Sequence, residues 1–471
     1  MALHSRPLLC LLTALGASSC TLGPDFTLPD LQLGSRWKHQ TDVSDLALPD
    51  AWWTLYRSPQ LNRLVDQALA NNPDLAAALA RVETARAMTG VEKAEWFPQI
   101  GAQQSVTLER LSGSAFGANL PPGVPLPALE RDRWQGFLTL NYELDLWGRV
   151  RRGVEAAKAR EGAAAEQVAV QKLVVAAEVA RTYFLAASLD AQRSILKETI
   201  NLRGEALKLQ QSRFQGGLAN EMDVARARTE VELANHDLIG VERQRGNAAN
   251  ALALLCGAAP AEFALQAQLG LPGVPRVSGG LPSTLLQRRP DLRVAEQNLR
   301  EANAAIGVAQ ANFFPTFKLS GGGGIESIGA EDYLDWRNKA GSIGPQITLP
   351  LFQGGRLRGN LKAAKSRYEE SLASYRKAIL TALQEVENAT VDVNAYARQR
   401  AAVSAALAAA QETAKLARVR YDKGLASYFE VVDADRTVLT TRLLQAQIDG
   451  QRLTASVQLI RALGGGWNAG K

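Results

Sequence analysis

Arg420-Tyr-Asp-Lys-Gly424-Leu-Ala-Ser427-Tyr-Phe429-Glu-Val-Val-Asp433-Ala-Asp-Arg436 is the stretch whose reading decides the fold. It reads as a tight turn between two long helices. Residues 354–423 before it contain no proline and repeat apolar side chains at helical spacing, and residues 425–463 after it do the same. Gly424 is expected to close the first helix in the left-handed conformation, and Ser427 to cap the second with its hydroxyl. About 65 helical residues at about 1.5 Å each would reach roughly 100 Å, longer than a compact domain is wide. The turn is therefore expected at the far tip of a long hairpin. The same tip stands earlier as Arg213-Phe-Gln-Gly-Gly217-Leu-Ala-Asn220, and two tips in one chain imply an internal duplication.

Other landmarks repeat in the same order. Pro73-Asp-Leu recurs as Pro290-Asp-Leu, and Phe97-Pro98 as Phe314-Pro315, both offset by 217 residues. At the tips the offset is 207, and the difference fits the Gly/Pro/Ser-rich loop Leu111–Arg131 of the first half, since insertions belong in exposed loops. Each half reads helix, strand, loop, strand, long helix, tip, helix. Ile100, Ala102, Gln104, Val106 and Leu108 alternate with polar or small residues. So do Leu138, Leu140, Tyr142 and Leu144, and again Ile343, Ile347, Leu349 and Leu351, while Gly321–Gly324 marks a pliable partner strand. Four such strands of about ten residues match membrane β-strands, although half-buried strands of a soluble sheet carry the same pattern. In the membrane reading, four strands leave open edges that cannot face lipid and are too few to enclose a lumen, so several chains must share one barrel.

On the long helices, Val170, Leu173, Val174, Ala177, Ala180 and Phe184 form one stripe, and Leu372, Tyr375, Ile379, Leu383 and Val386 its counterpart. Both are read as packing seams. The expected organisation is an export signal at 1–19, an N-terminal segment at 20–59, a first repeat at 60–257, a linker at 258–280, a second repeat at 281–464 and a tail at 465–471. Arg6, the apolar run Leu8–Leu15 and the small residues Ala17-Ser-Ser19 carry the export reading. Cys20 follows them directly, as in bacterial lipoproteins, with Ala17 where that motif usually has leucine.

The chemistry-bearing residues are sparse. A formal net charge of +6 is spread without a basic block, which points away from nucleic acid. Three cysteines, Cys10, Cys20 and Cys256, and three histidines, His4, His39 and His236, show no metal-ligand spacing. Cys256 is read as a small buried hydrophobe. Gly321–Gly324 lacks the lysine of a phosphate loop. The Asp and Glu pairs have the spacing of solvated helix faces. No enzyme activity and no cofactor are expected. Phe429, Asp433 and Arg436 share one helix face beside the tip. Repeated by symmetry they would form rings, the means by which pores select and close; alone, Asp433 and Arg436 would be an ordinary exposed pair.

Cys20-Thr-Leu-Gly-Pro-Asp-Phe-Thr-Leu-Pro29, Trp52-Trp53, Asn72-Pro-Asp-Leu75, Arg289-Pro-Asp-Leu292, Phe313-Phe-Pro315, Leu349-Pro-Leu-Phe-Gln-Gly-Gly-Arg356 and Ala462-Leu-Gly-Gly-Gly-Trp467 occur in this order. Together they resemble the outer-membrane efflux factors, the TolC-like family, in its OprM/NodT-type lipoprotein branch. The resemblance implies a mainly α fold with a membrane β-barrel portion: long helical hairpins forming a periplasmic cylinder, and four strands per chain completing a shared barrel in a homotrimer. It implies acylation (palmitate) at Cys20, with Thr21 in place of the aspartate that retains lipoproteins at the inner membrane, hence an anchor in outer-membrane lipid. It implies an exit duct for small molecules and drugs, fed by an inner-membrane RND-type transporter through a periplasmic adaptor (membrane fusion) protein. The linker 258–280 would belong to a band girdling the helices. The periplasmic gate would comprise Tyr421, Asp433 and Arg436, with Phe429 at an apolar plug position and Asp223 as the constriction acid from the first tip. Two other readings stand beside it: the duct of a type I protein secretion system, and a periplasmic coiled-coil scaffold or adaptor without a pore.

Overall fold

The computed structural model describes residues 21–30, 37–39, 48–111, 129–268, 270–275, 277 and 288–466. The export signal, Cys20, most of the Gly/Pro-rich loop, the start of the second repeat and the tail beyond Gly466 lie outside the described residues. In chain order the elements are α1 (Pro59–Asn71), α2 (Pro73–Ala94), β1 (Gln99–Leu111), β2 (Leu129–Leu144), α3 (Arg149–Gln215) and α4 (Glu221–Leu255). The second half supplies α5 (Pro290–Ala311), β3 (Thr316–Ile328), β4 (Lys339–Thr348), α6 (Arg356–Asp422) and α7 (Tyr428–Ala462). The duplication shows in the lengths: α2 and α5 have 22 residues each, α3 and α6 67, and α4 and α7 35.

Contacts divide the chain into two units. The first comprises the described parts of 1–29, 82–163 and 295–374 and holds the sheet; the second comprises those of 30–81, 164–294 and 375–471 and holds both tips.

In the first unit the four strands pair antiparallel in the order β1-β2-β3-β4. The register puts Ile100 opposite Leu140, Tyr142 opposite Leu319 and Phe317 opposite Ile347. The expected alternation thus becomes two faces. One carries Ile100, Leu108, Leu138, Leu144, Ile343 and Ile347, all exposed within the chain. The other carries Glu109, Arg131, Arg133 and Glu326, joined across strands at 2.8 Å from Arg131 to Glu109 and 2.8 Å from Arg133 to Glu326. On the apolar face, among the described residues, Tyr333 packs beside Gly136 and Trp134, 5.7 Å from the Trp134 ring, while the six apolar side chains named above stay exposed, and β1 and β4 are open edges. Each strand has at least ten residues, enough to cross a bilayer at the usual tilt. Leu349 and Leu351, expected in the alternation, fall outside β4, which ends at Thr348. Pro350, just beyond, has no N–H with which to continue the ladder.

In the second unit, Ser58 caps α1 by accepting from the Leu61 N–H at 3.3 Å, with Pro59 opening the helix. Its core joins Trp52, Tyr56, Leu61 and Val65 to Tyr183, Phe184, Leu252, Val457 and Ile460, each large side chain contributing about 1.5–3 kcal/mol by burial. Buried hydroxyls are paired, Tyr56 with Ser456 at 2.7 Å and Ser58 with Tyr183 at 2.9 Å. Of the seam residues, Ala177, Ala180, Phe184, Tyr375, Ile379 and Val386 are buried, whereas Val174 is exposed. At that turn Val175, Ala176 and Val179 are buried as well, and Val174, at the rim of the stripe, points away from them. Cys256 is a free, buried thiol 3.5 Å from the Leu64 carbonyl, as read from the sequence.

Candidate functional site

Both tips close by the same backbone device. At the first, Leu218 N–H donates to the Arg213 carbonyl at 2.7 Å and Gly217 N–H to Phe214 at 3.0 Å. At the second, Leu425 N–H donates to Arg420 at 2.8 Å and Gly424 N–H to Tyr421 at 2.9 Å. These are paired six-residue and four-residue closures, and they need a left-handed residue at the turn. Gly217 has φ 74° and Gly424 φ 71°. The next helices start differently. The Asn220 side chain accepts from the Asp223 N–H at 2.9 Å, but the Ser427 hydroxyl makes no capping bond. Ser427 does hold the N-cap position, in extended conformation, with its carbonyl taking the Glu430 N–H at 3.2 Å. Its hydroxyl is turned to no first-turn N–H, unlike that of Ser58 at α1, and Glu430 in the first turn complements the helix dipole.

Beside the tips an apolar patch of Ala227, Ala414, Ala417, Tyr428, Val431, Val432 and Ala434 packs α4, α6 and α7 together. Two polar clusters border it. Tyr421, half-buried, accepts through its hydroxyl from Gln210 Nε2 at 2.9 Å and Arg213 Nη1 at 2.8 Å, both on α3. The Arg213 guanidinium lies 5.1 Å over its ring, and Tyr428 stacks at 5.6 Å. Burial raises the Tyr428 phenol above its ordinary pKa. The second cluster centres on Glu230, a carboxylate with only 6% of its side chain exposed. Arg203 of α3 reaches its carboxylate at 3.0 Å and its carbonyl at 2.8 Å, and Arg436 of α7 donates to the carboxylate from Nε at 2.7 Å. That hydrogen bond holds the Arg436 guanidinium above its usual pKa. Glu230 thus ties both hairpins in one ion cluster. Both clusters line a cleft of about 500 Å³.

The structure brings some of the sequence-selected residues together and separates others. Phe429 is exposed, with the Arg226 guanidinium 5.4 Å over its ring, and Arg226 lies 3.8 Å from Asp223. Arg226 therefore links Phe429 to Asp223. Asp433 is exposed, and Arg436 pairs with Glu230 rather than with it. Sequence reasoning missed Glu230, Arg203, Gln210 and Arg213, because acidic residues on helices were assigned to solvated faces. The signal was present: Glu230 stands in the buried stripe Val224, Ala227, Glu230, Ala234 of α4. Asp190, buried and bonded to Arg245, escaped in the same way. Among the described residues no group of His, Cys, Asp and Glu could hold a metal, and no helix is long and apolar enough to cross a membrane.

Comparison with known proteins gives this geometry a setting. The model of a family described as "Outer membrane efflux protein" matches residues 64–258 and 281–465. The chain is 34% identical to the solvent efflux pump outer membrane protein SrpC of Pseudomonas putida, covering 99% of each. It is 32% identical to the outer membrane protein OprJ of Pseudomonas aeruginosa, over 98% of this chain and 96% of that one. The solved outer-membrane channel OprN superposes with a TM-score of 0.87 at 29% identity, over 95% of this chain and 100% of that one.

Proposed function

Because the chain belongs to the outer membrane efflux protein family, we propose that it is the exit duct of a tripartite pump, working as a homotrimer whose periplasmic tips open on contact with an adaptor. The chain is an outer-membrane efflux component, a transport channel and not an enzyme. The observation that carries the assembly is the sheet, with a largely exposed apolar face and two unpaired edges. Lipid satisfies the first, but only neighbouring strands satisfy the second, since unpaired backbone groups cannot face hydrocarbon. Copies of the chain supply those strands, and the polar face with its Glu109–Arg131 and Arg133–Glu326 pairs then lines the lumen.

The gate reading draws on the tip clusters. Tyr421 and Arg436 on the second hairpin are bonded to Gln210, Arg213 and Glu230 on the first, so spreading the hairpins breaks these bonds together. Asp433, Asp223 and Phe429 are exposed or partly exposed nearby, free to face the pore as carboxylate and aromatic rings. The energy for opening comes from the partners, a periplasmic membrane fusion protein and an RND-type inner-membrane transporter, and the cargo is small organic molecules and drugs. Cys20, acylated after export, adds an anchor in outer-membrane lipid.

Deleting the gene in its host should raise intracellular accumulation of a fluorescent efflux dye, and the parent chain should restore the low level. Restoration failing despite normal outer-membrane yield of the protein would overturn the efflux reading. Intact-mass measurement should find the mature chain beginning at an acylated Cys20; an unmodified N-terminus would remove the anchor.

A further inference from the structure

On the apolar face of the sheet the band of side chains is interrupted. The register sets Leu138, Gly323 and Gly341 side by side on β2, β3 and β4, so two neighbouring strands carry no side chain there. A Cβ on Gly323 would meet nothing within 4 Å. The β3–β4 connection folds back beside this gap. A Cβ on Gly136 would run into the Tyr333 hydroxyl, and Tyr333, Leu334 and Trp336 rim a hollow of about 820 Å³ whose floor includes Gly323 and Gly341. All four strands meet their helices at the other end, at Gln99, Leu144, Thr316 and Thr348, so the hollow belongs to the end of the sheet away from the helices.

Three properties of this hollow need explanation. Glycine inside a strand weakens it and often marks a place where another molecule comes close. The rim is apolar and exposed, Leu334 at 83% and Trp336 at 72%. The polar groups beside it are left over. Arg337 is paired with Asp335 at 2.6 Å, whereas the Lys339 ammonium lies 5.8 Å over the Trp336 ring and has no carboxylate partner among the described residues. Trp134, on which Tyr333 packs, has its Nε1 buried with no acceptor among the described residues. An apolar floor, an apolar rim, an unneutralised cation and a spare donor together fit a molecule with a hydrocarbon chain and an anionic, oxygen-bearing head. The volume lies within the range of about 300–1,000 Å³ usual for ligand sites.

We propose that this hollow is a lipid-binding site, one per chain, which holds an acyl chain over Gly323 and Gly341 with the phosphate of the lipid at Lys339. The hollow is continuous with the apolar band that includes Leu138 and Ile343, the surface a barrel turns to hydrocarbon, so membrane lipid is the molecule that reaches it. An acyl chain on a flat barrel wall exchanges freely; one seated between the glycine floor and the Tyr333–Trp336 rim is retained. Tyr and Trp suit the boundary between hydrocarbon and water, and the flexible stem of Lys339 lets its ammonium meet a head group at that level. The site rests on the sheet being part of a membrane barrel, and not on how many chains close that barrel. Phosphate and acyl chains occur together in phospholipids and in lipid A, and either source supplies the chemistry.

Native mass spectrometry of the full-length protein, delipidated in detergent and titrated in separate arms with phosphatidylglycerol and with lipid A, tests the proposal. The parent should take up one lipid per chain before any further adduct, and the arm that saturates at the lower concentration identifies the source. Gly323→Leu fills the hollow and Trp336→Ala removes part of its rim; each should raise the half-saturating concentration at least tenfold at parental assembly. Lys339→Gln should weaken uptake of the phosphate lipids about tenfold and leave the weaker uptake of diacylglycerol, which has no phosphate, unchanged. If Gly323→Leu does not assemble, Trp336→Ala decides alone, because Trp336 is exposed and lies outside the strands. No one-per-chain step in either arm of the parent, or parental uptake in both hollow variants, would overturn the proposal. Equal loss of phosphate lipid and diacylglycerol in Lys339→Gln would also overturn it, since Lys339 would then hold no phosphate. A folded single chain that still binds one lipid would remove the shared barrel and leave the lipid site standing.

Discussion

Glu230→Gln is the substitution that bears most directly on the gate. It removes a charge between Arg203 and Arg436, whose side chains are 13% and 51% exposed. Arg203 would stay mostly buried, with the residue 230 carbonyl at 2.8 Å and at most one uncharged amide oxygen, shared with Arg436, as its acceptors. Breaking a buried ion pair from one side costs about 3–5 kcal/mol, and the exposure of Arg436 places this case near 3 kcal/mol. That corresponds to a closed-to-open ratio reduced roughly 150-fold per chain, provided the cluster is intact only in the closed state. Arg436→Ala leaves Glu230 paired with Arg203 and removes a half-exposed partner, so its cost should be about 1 kcal/mol. Single-channel recording in planar bilayers should therefore rank open probability as Glu230→Gln, then Arg436→Ala, then parent, at equal trimer yield. Glu230→Gln trimers of normal yield that gate like the parent would refute the reasoning, as would an Arg436→Ala effect exceeding that of Glu230→Gln.

Tyr421→Phe removes the acceptor of Gln210 and Arg213 while keeping the ring, and should raise conductance in the same recording with little change in thermal stability. In the sheet, Gly324→Ala would set a methyl 1.9 Å from the Gly136 carbonyl oxygen, whereas Gly323 has nothing within 4 Å. Gly324→Ala should lower the melting temperature of the assembled protein by an overpacking cost of about 1–3 kcal/mol, and Gly323→Ala should be near neutral. Burial pushes the Cys256 thiol up to about 11, so it stays protonated through neutral and mildly alkaline pH. Iodoacetamide at pH 8 should label the Cys256 peptide only after denaturation, and labelling of the folded protein would contradict its burial.

Much of the fold is written locally in the chain. Gly217 and Gly424 could be placed at tips because a helix closing in the left-handed conformation needs glycine and leaves a repeatable pattern around it. The sheet faces were legible because a period of two admits only two registers, and the wrong one puts Glu109 and Arg131 into lipid. Val174 and Leu349 differ from the pattern because each stands at its margin, Val174 at the rim of the stripe and Leu349 one residue past the end of β4. Residue type places Ser427 at the cap position but cannot say where its hydroxyl points; Ser58, with the same side chain, does cap α1. The Glu230 cluster was the least legible. Its three members come from α3, α4 and α7, and a carboxylate at helical spacing looks the same whether it faces water or a buried arginine.

The central claim is that one chain supplies part of a shared barrel, and native mass spectrometry of the detergent-extracted protein tests it most directly. Three chains per particle, with no folded monomer at any dilution that keeps the detergent above its micellar limit, is the predicted result. A monodisperse, folded single chain would mean that β1 and β4 are closed in some other way, and would contradict the account.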